Sequence, residues 1–110
     1  MKTGRIAEWR KPDWLVKWEK MTFEFFDEHY TPSITVHPVY GHHIGHLTCK
    51  HCGKDYSWEY WGPTMTRQFR WAEKHQYSAH NVERPDRVGR RLWLTHELVN
   101  EWFDSRTGGG

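Results

Sequence analysis

The sequence has only two cysteines and no long apolar run. Hydrophobic residues make up 36% of its 110 residues, and no segment approaches the ~18 consecutive apolar residues that a membrane-spanning helix needs. The first residues, MKTGRIAEWRKPDW, contain no apolar segment of the kind found in signal peptides. We therefore expect a cytoplasmic protein without membrane attachment, in which the cysteines stay reduced.

Aliphatic residues are scarce as well, but aromatic residues are not. They account for 16% of the chain and include eight tryptophans. This share is too high for a disordered chain, so we expect a folded core built largely from Trp, Phe and Tyr. A chain of this length forms one domain with a modest core, and domains of this size often need a disulfide or a metal ion.

Positive and negative charges are nearly balanced, with a formal net charge of +2. Residues 64–91 depart from this balance, because they carry seven Lys or Arg against three acidic residues, a net charge of +4. Six of the seven cations are Arg, whose planar guanidinium suits bidentate contacts with phosphate or carboxylate. The seven are Arg67, Arg70, Lys74, Arg84, Arg87, Arg90 and Arg91.

The hydrophobic pattern predicts an α+β protein. Apolar residues from Asp13 to Tyr30 follow one helical face, although MTFEFF within this segment also alternates like a strand. The expected N-caps are Thr95 for the last helix and Thr64 or Thr66 for the helix before it. In chain order we expect a helix over 13–30, a strand over 33–40 that ends near Pro38, a loop over 41–46, a hairpin over 47–60, a helix over 64–78, a loop over 81–89, a short strand over 90–94 and a helix over 95–103.

The two cysteines, Cys49 and Cys52, lie in the stretch HLTCKHCGKDYSWEYW. A redox pair would precede a helix in a βαβ unit, whereas Gly53 and a predicted strand follow here. A disulfide does not suit the cytoplasm, and two ordinary cysteines are a further alternative. A metal site is the favoured interpretation, and a structural zinc ion takes four Cys or His ligands in tetrahedral geometry.

Two histidines in the predicted helix over 64–78 and just beyond it complete such a site. His75 and His80 give the pattern C-x2-C-x22-H-x4-H, in which a turn with two thiolates faces a helix with two imidazoles. The histidines are five residues apart, slightly too far for one α-helical face, so the last turn is expected to unwind or tighten.

The other histidines are alternative ligands or surface residues. His46 gives H-x2-C-x2-C and His51 lies between the cysteines, so either one can replace a predicted ligand. We nevertheless expect both to be exposed loop residues. The same holds for His42 and His43, while surface or cap positions are expected for His29, His37 and His96.

This segment resembles the two-cysteine, two-histidine (CCHH) zinc finger of ββα form. The resemblance covers residues 47–80, about a third of the chain, and includes CxxCGK followed by an aromatic strand. It implies a core in which Tyr56 or Trp58 packs with Phe69. It also implies a Zn²⁺ site made of Cys49, Cys52, His75 and His80. The 22 residues between the second Cys and the first His exceed the family's gap of about 12, so we do not expect the helix to read DNA in the family's usual way.

As a compact, Trp- and His-rich chain with one finger, the whole chain is similar to small zinc-finger proteins encoded by bacteriophages. This similarity implies a location in the host cytoplasm and a partner that is nucleic acid or a host protein such as a polymerase. The expected division of the chain is an N-terminal arm, helix and strand over 1–46, a zinc-finger-like unit over 47–80, a basic loop and C-terminal helix over 81–106, and a flexible tail over 107–110.

Motifs of metal-dependent enzymes are lacking. The zinc deaminase pattern H-x-E…P-C-x-x-C is absent, because no H-x-E precedes Cys49 and Thr48 stands in place of Pro. There is no HExxH motif either. AHN at 79–81 together with His96 can be fitted to an HNH-type nuclease, but the rest of that pattern does not follow. We therefore expect a non-enzymatic protein without a small-molecule substrate.

Nucleic-acid binding, to DNA or RNA, is the function that the charge pattern favours. Arg67, Arg70 and Lys74 recur along one face of the predicted helix, and phosphate contacts need such cations. An ordinary solvated helix face would carry the same charges. The expected surface continues into the loop through Arg84, Arg87, Arg90 and Arg91, and bases could stack on Trp71, Tyr77 or Trp61.

A protein-interaction adaptor is the alternative function. Eight tryptophans exceed what a small core should need, and Trp, Tyr and Arg dominate the energetics of protein interfaces. Aromatic residues that replace scarce aliphatic ones in the core would explain the same composition. The candidates for an exposed patch are Trp9, Trp14, Trp18, Trp61 and Trp93.

Overall fold

The computed structural model describes residues 10–82 and 94–108, and the structural statements below concern these residues. Its first element is helix α1 (Asp13–His29), as predicted. The helical pattern prevails over the strand-like alternation of MTFEFF because the neighbouring side chains Phe25 and Phe26 are both buried. A helix permits this, whereas a half-buried strand would point them to opposite faces.

Three antiparallel strands follow α1 and form one sheet in the order β1-β2-β3. They are β1 (Tyr30–Val36), β2 (His43–Cys49) and β3 (Asp55–Trp58). The hairpin predicted over 47–60 is confirmed as the β2–β3 pair, in which Leu47 lies opposite Tyr56. With the three helices, this sheet gives the α+β fold expected from the sequence.

The first hairpin differs from the sequence prediction. β1 begins three residues before the predicted strand over 33–40 and ends at Val36, ahead of Pro38. The predicted loop over 41–46 is wrong from residue 43 onward, because residues 43–46 belong to β2 and pair with β1. Their histidines and glycines suggest a loop locally, but register with a neighbouring strand decides the structure, and sequence pattern does not encode that register here.

A short turn closes this first hairpin. The His37 N–H donates to the His42 carbonyl at 2.7 Å, and the Gly41 N–H donates to the His37 carbonyl at 3.0 Å. Gly41 has a φ of +78°, a conformation that favours glycine. These bonds confine the turn to residues 37–42, so that Val36 pairs directly with His43.

Gly45 in β2 makes room for the sheet's largest buried side chain. It pairs with Trp58 in β3, and a Cβ atom on residue 45 would lie 2.5 Å from the Trp58 ring. Trp58 is 2% exposed because it occupies this space. A glycine that suggests a loop in the sequence therefore serves close packing within a strand.

Helices α2 (Pro63–His80) and α3 (His96–Thr107) confirm the two remaining predicted helices. The Thr95 cap is also confirmed, since its Oγ1 accepts a hydrogen bond from the Leu98 N–H at 3.2 Å. Neither expected threonine caps α2, which starts from Gly62 with Pro63 in the first turn. Proline suits this position because its ring fixes a helical φ and it brings no N–H that would need a partner.

The three described helices and the sheet share one aromatic core, as the composition predicts. The Phe69 ring of α2 lies at its centre, 5.0 Å from Phe26, 5.5 Å from Trp58 and 5.8 Å from Trp102 between ring centroids. The Tyr30 hydroxyl donates to the Ala72 carbonyl at 2.5 Å and ties β1 to α2. This core positions the end of β2 beside the last turns of α2.

Some predictions fall outside the described residues. The predicted strand over 90–94 lies there except for Leu94, as does most of the predicted loop over 81–89. Arg84, Arg87, Arg90 and Arg91 belong to this part. Among the helices within 10–82 and 94–108, none is both long and apolar enough to cross a membrane.

Candidate metal centre

Four side chains from two elements converge at the end of the sheet: Cys49, Cys52, His75 and His80, named here the Cys2His2 cluster. Their ligand atoms all lie within 4.8 Å of one another, so the cluster could hold a metal ion. The Cys49 Sγ lies 3.5 Å from the His80 Nε2, and the Cys52 Sγ lies 3.2 Å from the His75 Nε2. The spacing pattern thus brings together the four residues that the sequence indicated.

The β2–β3 turn orients the two cysteines. Cys49 ends β2, and its carbonyl accepts a hydrogen bond from the Gly53 N–H at 2.9 Å, while its own N–H donates to the Lys54 carbonyl at 2.8 Å. Gly53 has a φ of +80°, which a residue with a side chain rarely adopts. The turn therefore folds back within four residues, and both sulfur atoms face α2.

The two histidines lie near the C-terminal end of α2, which ends at His80. The Asn81 N–H reaches back five residues to the Gln76 carbonyl, and the Val82 N–H donates to the same carbonyl at 3.1 Å. Such bonds beside a residue of left-handed conformation, here Asn81 with a φ of 55°, are an ordinary way for a helix to end. The expected unwinding or tightening of the last turn is wrong, because α2 stays α-helical through His80. His75 and His80 nevertheless lie with ring centroids 4.9 Å apart.

Hydrogen bonds around Cys49 favour its thiolate form. Burial raises the pKa of the Cys49 thiol, but hydrogen bonds from the Gln76 side chain and from the backbone N–H groups of His51 and Cys52 outweigh burial and lower this pKa overall. The Gln76 Nε2 donates to the Cys49 Sγ at 3.2 Å. A thiolate is the form of cysteine that binds metals.

The electrostatics around His75 favour its neutral form. Burial lowers the pKa of His75, and the nearby His80 and Lys54 lower it further. A neutral imidazole has a lone pair on one nitrogen, which is what coordination of a metal requires. The cluster therefore combines a stabilised thiolate with an uncharged imidazole.

Sequence reasoning missed Gln76, although the helical pattern contains a signal for it. Position 76 follows Met65, Phe69 and Ala72 on the buried stripe of α2, and Gln76 is fully buried. A buried amide needs hydrogen-bond partners, so a glutamine between two predicted ligands on the apolar face indicates a contact with one of them.

The alternative ligands His46 and His51 do not belong to the cluster. Both ring nitrogens of His46 contact other side chains, with Nε2 at 2.7 Å from the Thr35 Oγ1 and Nδ1 at 3.0 Å from Asp55. The His51 Nε2 lies 3.0 Å from the His29 Nδ1. The expected surface position of His29 is wrong, because it is 6% exposed and packs 4.9 Å from Phe25 between ring centroids.

A second group with nearby ligand atoms lies at the other end of the sheet and consists of His37, His42 and Glu59, named here the turn cluster. Its ligand atoms also lie within 4.8 Å of one another. The His42 Nε2 lies 2.5 Å from the Glu59 Oε1, and the His37 Nδ1 accepts hydrogen bonds from the backbone N–H groups of Val39 and Tyr40, both at 3.1 Å. These three residues are partly or largely exposed.

The basic face predicted on α2 is exposed to solvent. Arg67, Arg70 and Lys74 line a cleft of about 760 Å³, named here the α2 cleft, together with Trp71 and His96. The Arg70 guanidinium donates to the Leu94 carbonyl at 3.4 Å. Sequence reasoning missed that His96, at the start of α3, belongs to this surface, since no spacing pattern relates it to α2.

Most of the tryptophans that the structure describes serve the core rather than a surface patch. Of the five predicted for an exposed patch, Trp14 is 63% exposed, whereas Trp18 and Trp61 pack against the core. Trp9 and Trp93 lie outside the described residues. The three residues predicted to stack on bases also differ in exposure. Trp71 is 52% exposed, whereas Trp61 and Tyr77 pack against the core.

Comparisons with protein-family models, curated proteins and solved structures give no match to this chain.

Proposed function

We propose that the Cys2His2 cluster binds one Zn²⁺ as a structural ion. Two thiolates and two neutral imidazoles are a donor set that suits zinc, which prefers sulfur and nitrogen ligands in tetrahedral geometry. Four protein ligands saturate such an ion and leave no position for a reactive water, so the proposed role is structural and non-enzymatic. The ion joins the end of the sheet to α2.

We further propose that the chain binds nucleic acid through the exposed basic face of α2. The observation that carries this proposal is the α2 cleft, in which three cations lie beside an exposed tryptophan. The described residues that line this cleft include no acidic side chain. Cations attract the phosphate backbone, and counterion release makes such binding strongly salt-dependent.

The decisive experiment reverses two charges in the α2 cleft. We expect the double variant Arg67→Glu, Arg70→Glu to bind oligonucleotides more weakly than the native chain, with a flatter dependence of log K on log salt. Loss of two phosphate contacts lowers that slope by about 1.4 for single strands and about 1.8 for duplexes. Binding is measured by fluorescence anisotropy at several salt concentrations.

The matched control reverses two charges elsewhere. Lys17 and Lys20 are exposed on α1, so Lys17→Glu with Lys20→Glu changes the net charge equally without touching the cleft. Circular dichroism checks that both double variants stay folded. Equal losses of affinity in the two variants, or no binding by the native chain at low salt, would contradict the proposed nucleic-acid surface.

A protein-interaction adaptor is the second candidate function, and one observation favours it. Val36, Val39, Tyr40 and Tyr60 are 59%, 77%, 79% and 72% exposed. They lie in or beside the two loops that carry the turn cluster, where large exposed side chains can form a contact surface. A native chain that binds zinc but no oligonucleotide at low salt would support this function instead.

A further inference from the structure

Trp71 occupies an unusual position on α2. Its side chain is 52% exposed, and it lines both the α2 cleft and a second cleft of about 380 Å³ towards the β2–β3 turn. No cation and no aromatic ring pairs with its indole in the described part of the chain. The indole therefore stands on the border of two clefts with a face that a ligand can reach.

Cations lie on both sides of this indole. Arg67 and Arg70 line the α2 cleft, Lys54 lines the second cleft, and Lys74 lines both. All four are exposed. A chain of phosphates that crosses the border between the clefts would thus meet positive charge before, beside and after Trp71.

The dimensions of this surface suit several nucleotides. From Arg67 to Ser78, which lines the far side of the second cleft, α2 advances eleven residues, or about 16 Å at the usual rise per residue. Lys54 extends the surface beyond α2, because it belongs to the β2–β3 turn. The two clefts are adjacent, since Trp71 and Lys74 line both, and together they are named here the Trp71 path.

We infer that the Trp71 path binds single-stranded nucleic acid, with a base stacked on Trp71 and flanking phosphates on Arg67, Arg70, Lys74 and Lys54. The inference rests on the proposed nucleic-acid function and specifies its ligand. Bases in a duplex cover each other's faces, so an indole can stack only on an unpaired base. Stacking accepts every base, which gives binding without strong sequence preference.

The test compares three probes of equal phosphate number at one low salt concentration. The first is an oligothymidine of about 12 nucleotides, within the site sizes of single-strand binding domains. The second is an abasic strand of the same length, which keeps the phosphates but has no bases. The third is a hairpin duplex. The native chain is expected to bind oligothymidine most tightly.

The variant Trp71→Ala separates stacking from charge. We expect it to weaken oligothymidine binding about 5- to 100-fold, which corresponds to the loss of one stacked base. Binding of the abasic strand should stay within about twofold. Trp71→Phe keeps an aromatic face and should recover most of the lost affinity. Trp14→Ala is the matched control, because Trp14 is also exposed but does not line either cleft.

Each contrary result has a distinct meaning. Native binding that favours the hairpin, or an equal loss on both single strands in Trp71→Ala, overturns the inference but keeps the proposed nucleic-acid function. Unchanged oligothymidine binding in Trp71→Ala also overturns it. Absence of native binding to all three probes overturns both. Because Trp71 is exposed, its substitution should leave the fold intact, and circular dichroism of each variant checks this.

Discussion

The two ends of the sheet carry two groups of side chains that look equally suited to a metal by distance alone. In the Cys2His2 cluster and in the turn cluster, the ligand atoms lie within 4.8 Å of one another. They differ in what those atoms already contact. In the Cys2His2 cluster each histidine nitrogen lies against a cysteine sulfur, and the outside contacts are donors to Cys49, whereas in the turn cluster backbone N–H groups occupy the lone pair of the His37 Nδ1.

In the turn cluster, part of the donor capacity is already used by contacts that do not involve a metal. The His37 Nδ1 accepts two backbone N–H groups, so the neutral ring carries its proton on Nε2 and offers no second lone pair. The His42 Nε2 is held at 2.5 Å by Glu59. These contacts close the β1–β2 turn and link it to the end of β3. Proximity of histidines and carboxylates is therefore a weaker indication of a metal site than the availability of their donor atoms.

The Cys2His2 cluster shows the opposite arrangement. Gln76 and the backbone N–H groups of the turn donate to Cys49, which favours the thiolate, while burial favours a neutral His75. The surroundings thus donate hydrogen bonds to the Cys49 sulfur and disfavour protonation of the His75 imidazole. This is the environment expected around ligands whose orientation and charge are tuned by surrounding hydrogen bonds.

The largest expected effect follows from removal of one cysteine. Cys52 is exposed, so Cys52→Ser removes a ligand without creating a cavity. We expect bound zinc to fall from about one ion per chain to nearly none, and the protein to lose about 4 kcal/mol or more of stability, because metal binding supplies folding energy in such sites. Elemental analysis and thermal unfolding by circular dichroism measure the two quantities.

The neighbouring variant Lys54→Ser is the control for this experiment. Lys54 lies in the same turn and is exposed, but it offers no side-chain ligand for zinc. It should retain one zinc and unfold at nearly the native temperature. If Cys52→Ser also retained its zinc and its fold, the difference drawn between the two clusters would be lost.

A smaller effect is expected from the residue that supports the thiolate. Gln76→Leu removes the donor to Cys49 and also removes a buried Oε1 that has no hydrogen-bond partner. We expect zinc affinity to fall about 10- to 100-fold with one ion still bound at saturation. Competition with a chromophoric chelator measures the affinity.

The control variant for Gln76 lies on the same helix. Gln68 is partly buried on α2 and does not contact the cluster, so Gln68→Leu should leave zinc affinity unchanged. An unchanged affinity in Gln76→Leu would show that the ligands alone determine binding, and that the hydrogen bonds around them matter less than proposed.

The elements that carry the Cys2His2 cluster could be predicted from the sequence because their signals are local. The CxxC pair with a following glycine indicates a turn, and His75 and His80 fall at the end of an amphipathic helix. The 22 residues between Cys52 and His75 do not prevent this prediction, because the loop before α2 and the length of α2 account for the additional residues. Local pattern and tertiary contacts agree in this region.

The wrong predictions concern residues whose structure depends on contacts with residues distant in the sequence. β2 includes residues 43–46 because they pair with β1, and Gly45 gives space to Trp58 across the sheet. His29 is buried because α1 continues directly into β1 beside the β2–β3 turn. In that turn, the Lys50 N–H donates to the His29 carbonyl at 2.9 Å. None of these pairings leaves a periodic signal in the sequence, and an isolated histidine looks the same whether buried or exposed.

A third prediction asks whether α3 depends on the metal end of the molecule. The Asp27 carboxylate accepts hydrogen bonds from the Arg106 guanidinium at 2.7 and 2.8 Å and from the Trp102 Nε1 at 2.9 Å. We expect Asp27→Asn to cost about 1 kcal/mol near neutral pH, a modest value because this ion pair is partly exposed. Urea unfolding of zinc-loaded protein measures it.

The pH dependence of this loss provides the check. The hydrogen bond from Arg106 lowers the pKa of Asp27 in the folded protein, so its stabilisation is present above the unfolded-state pKa and disappears as the pH falls through the folded value. The difference between Asp27→Asn and the native chain should therefore begin to shrink at about pH 4 and vanish only below the lowered pKa of folded Asp27. Glu24→Gln, exposed on the same helix, should show no such difference. A change in zinc content with Asp27→Asn would mean that the two regions are coupled.

The smallest expected effect tests the turn cluster directly. His42→Ala removes the contact with Glu59 and the ring that stacks on His37 at 4.7 Å between centroids. We expect the zinc content to stay at about one ion per chain and the stability to fall by no more than about 1 kcal/mol, as for other partly exposed polar contacts. The adjacent His43→Ala, which changes an exposed histidine in β2, controls for the loss of an imidazole. If the native chain instead took up a second zinc ion that His42→Ala could not bind, the lone pairs assigned to backbone and carboxylate contacts would be available after all, and both ends of the sheet would be metal sites.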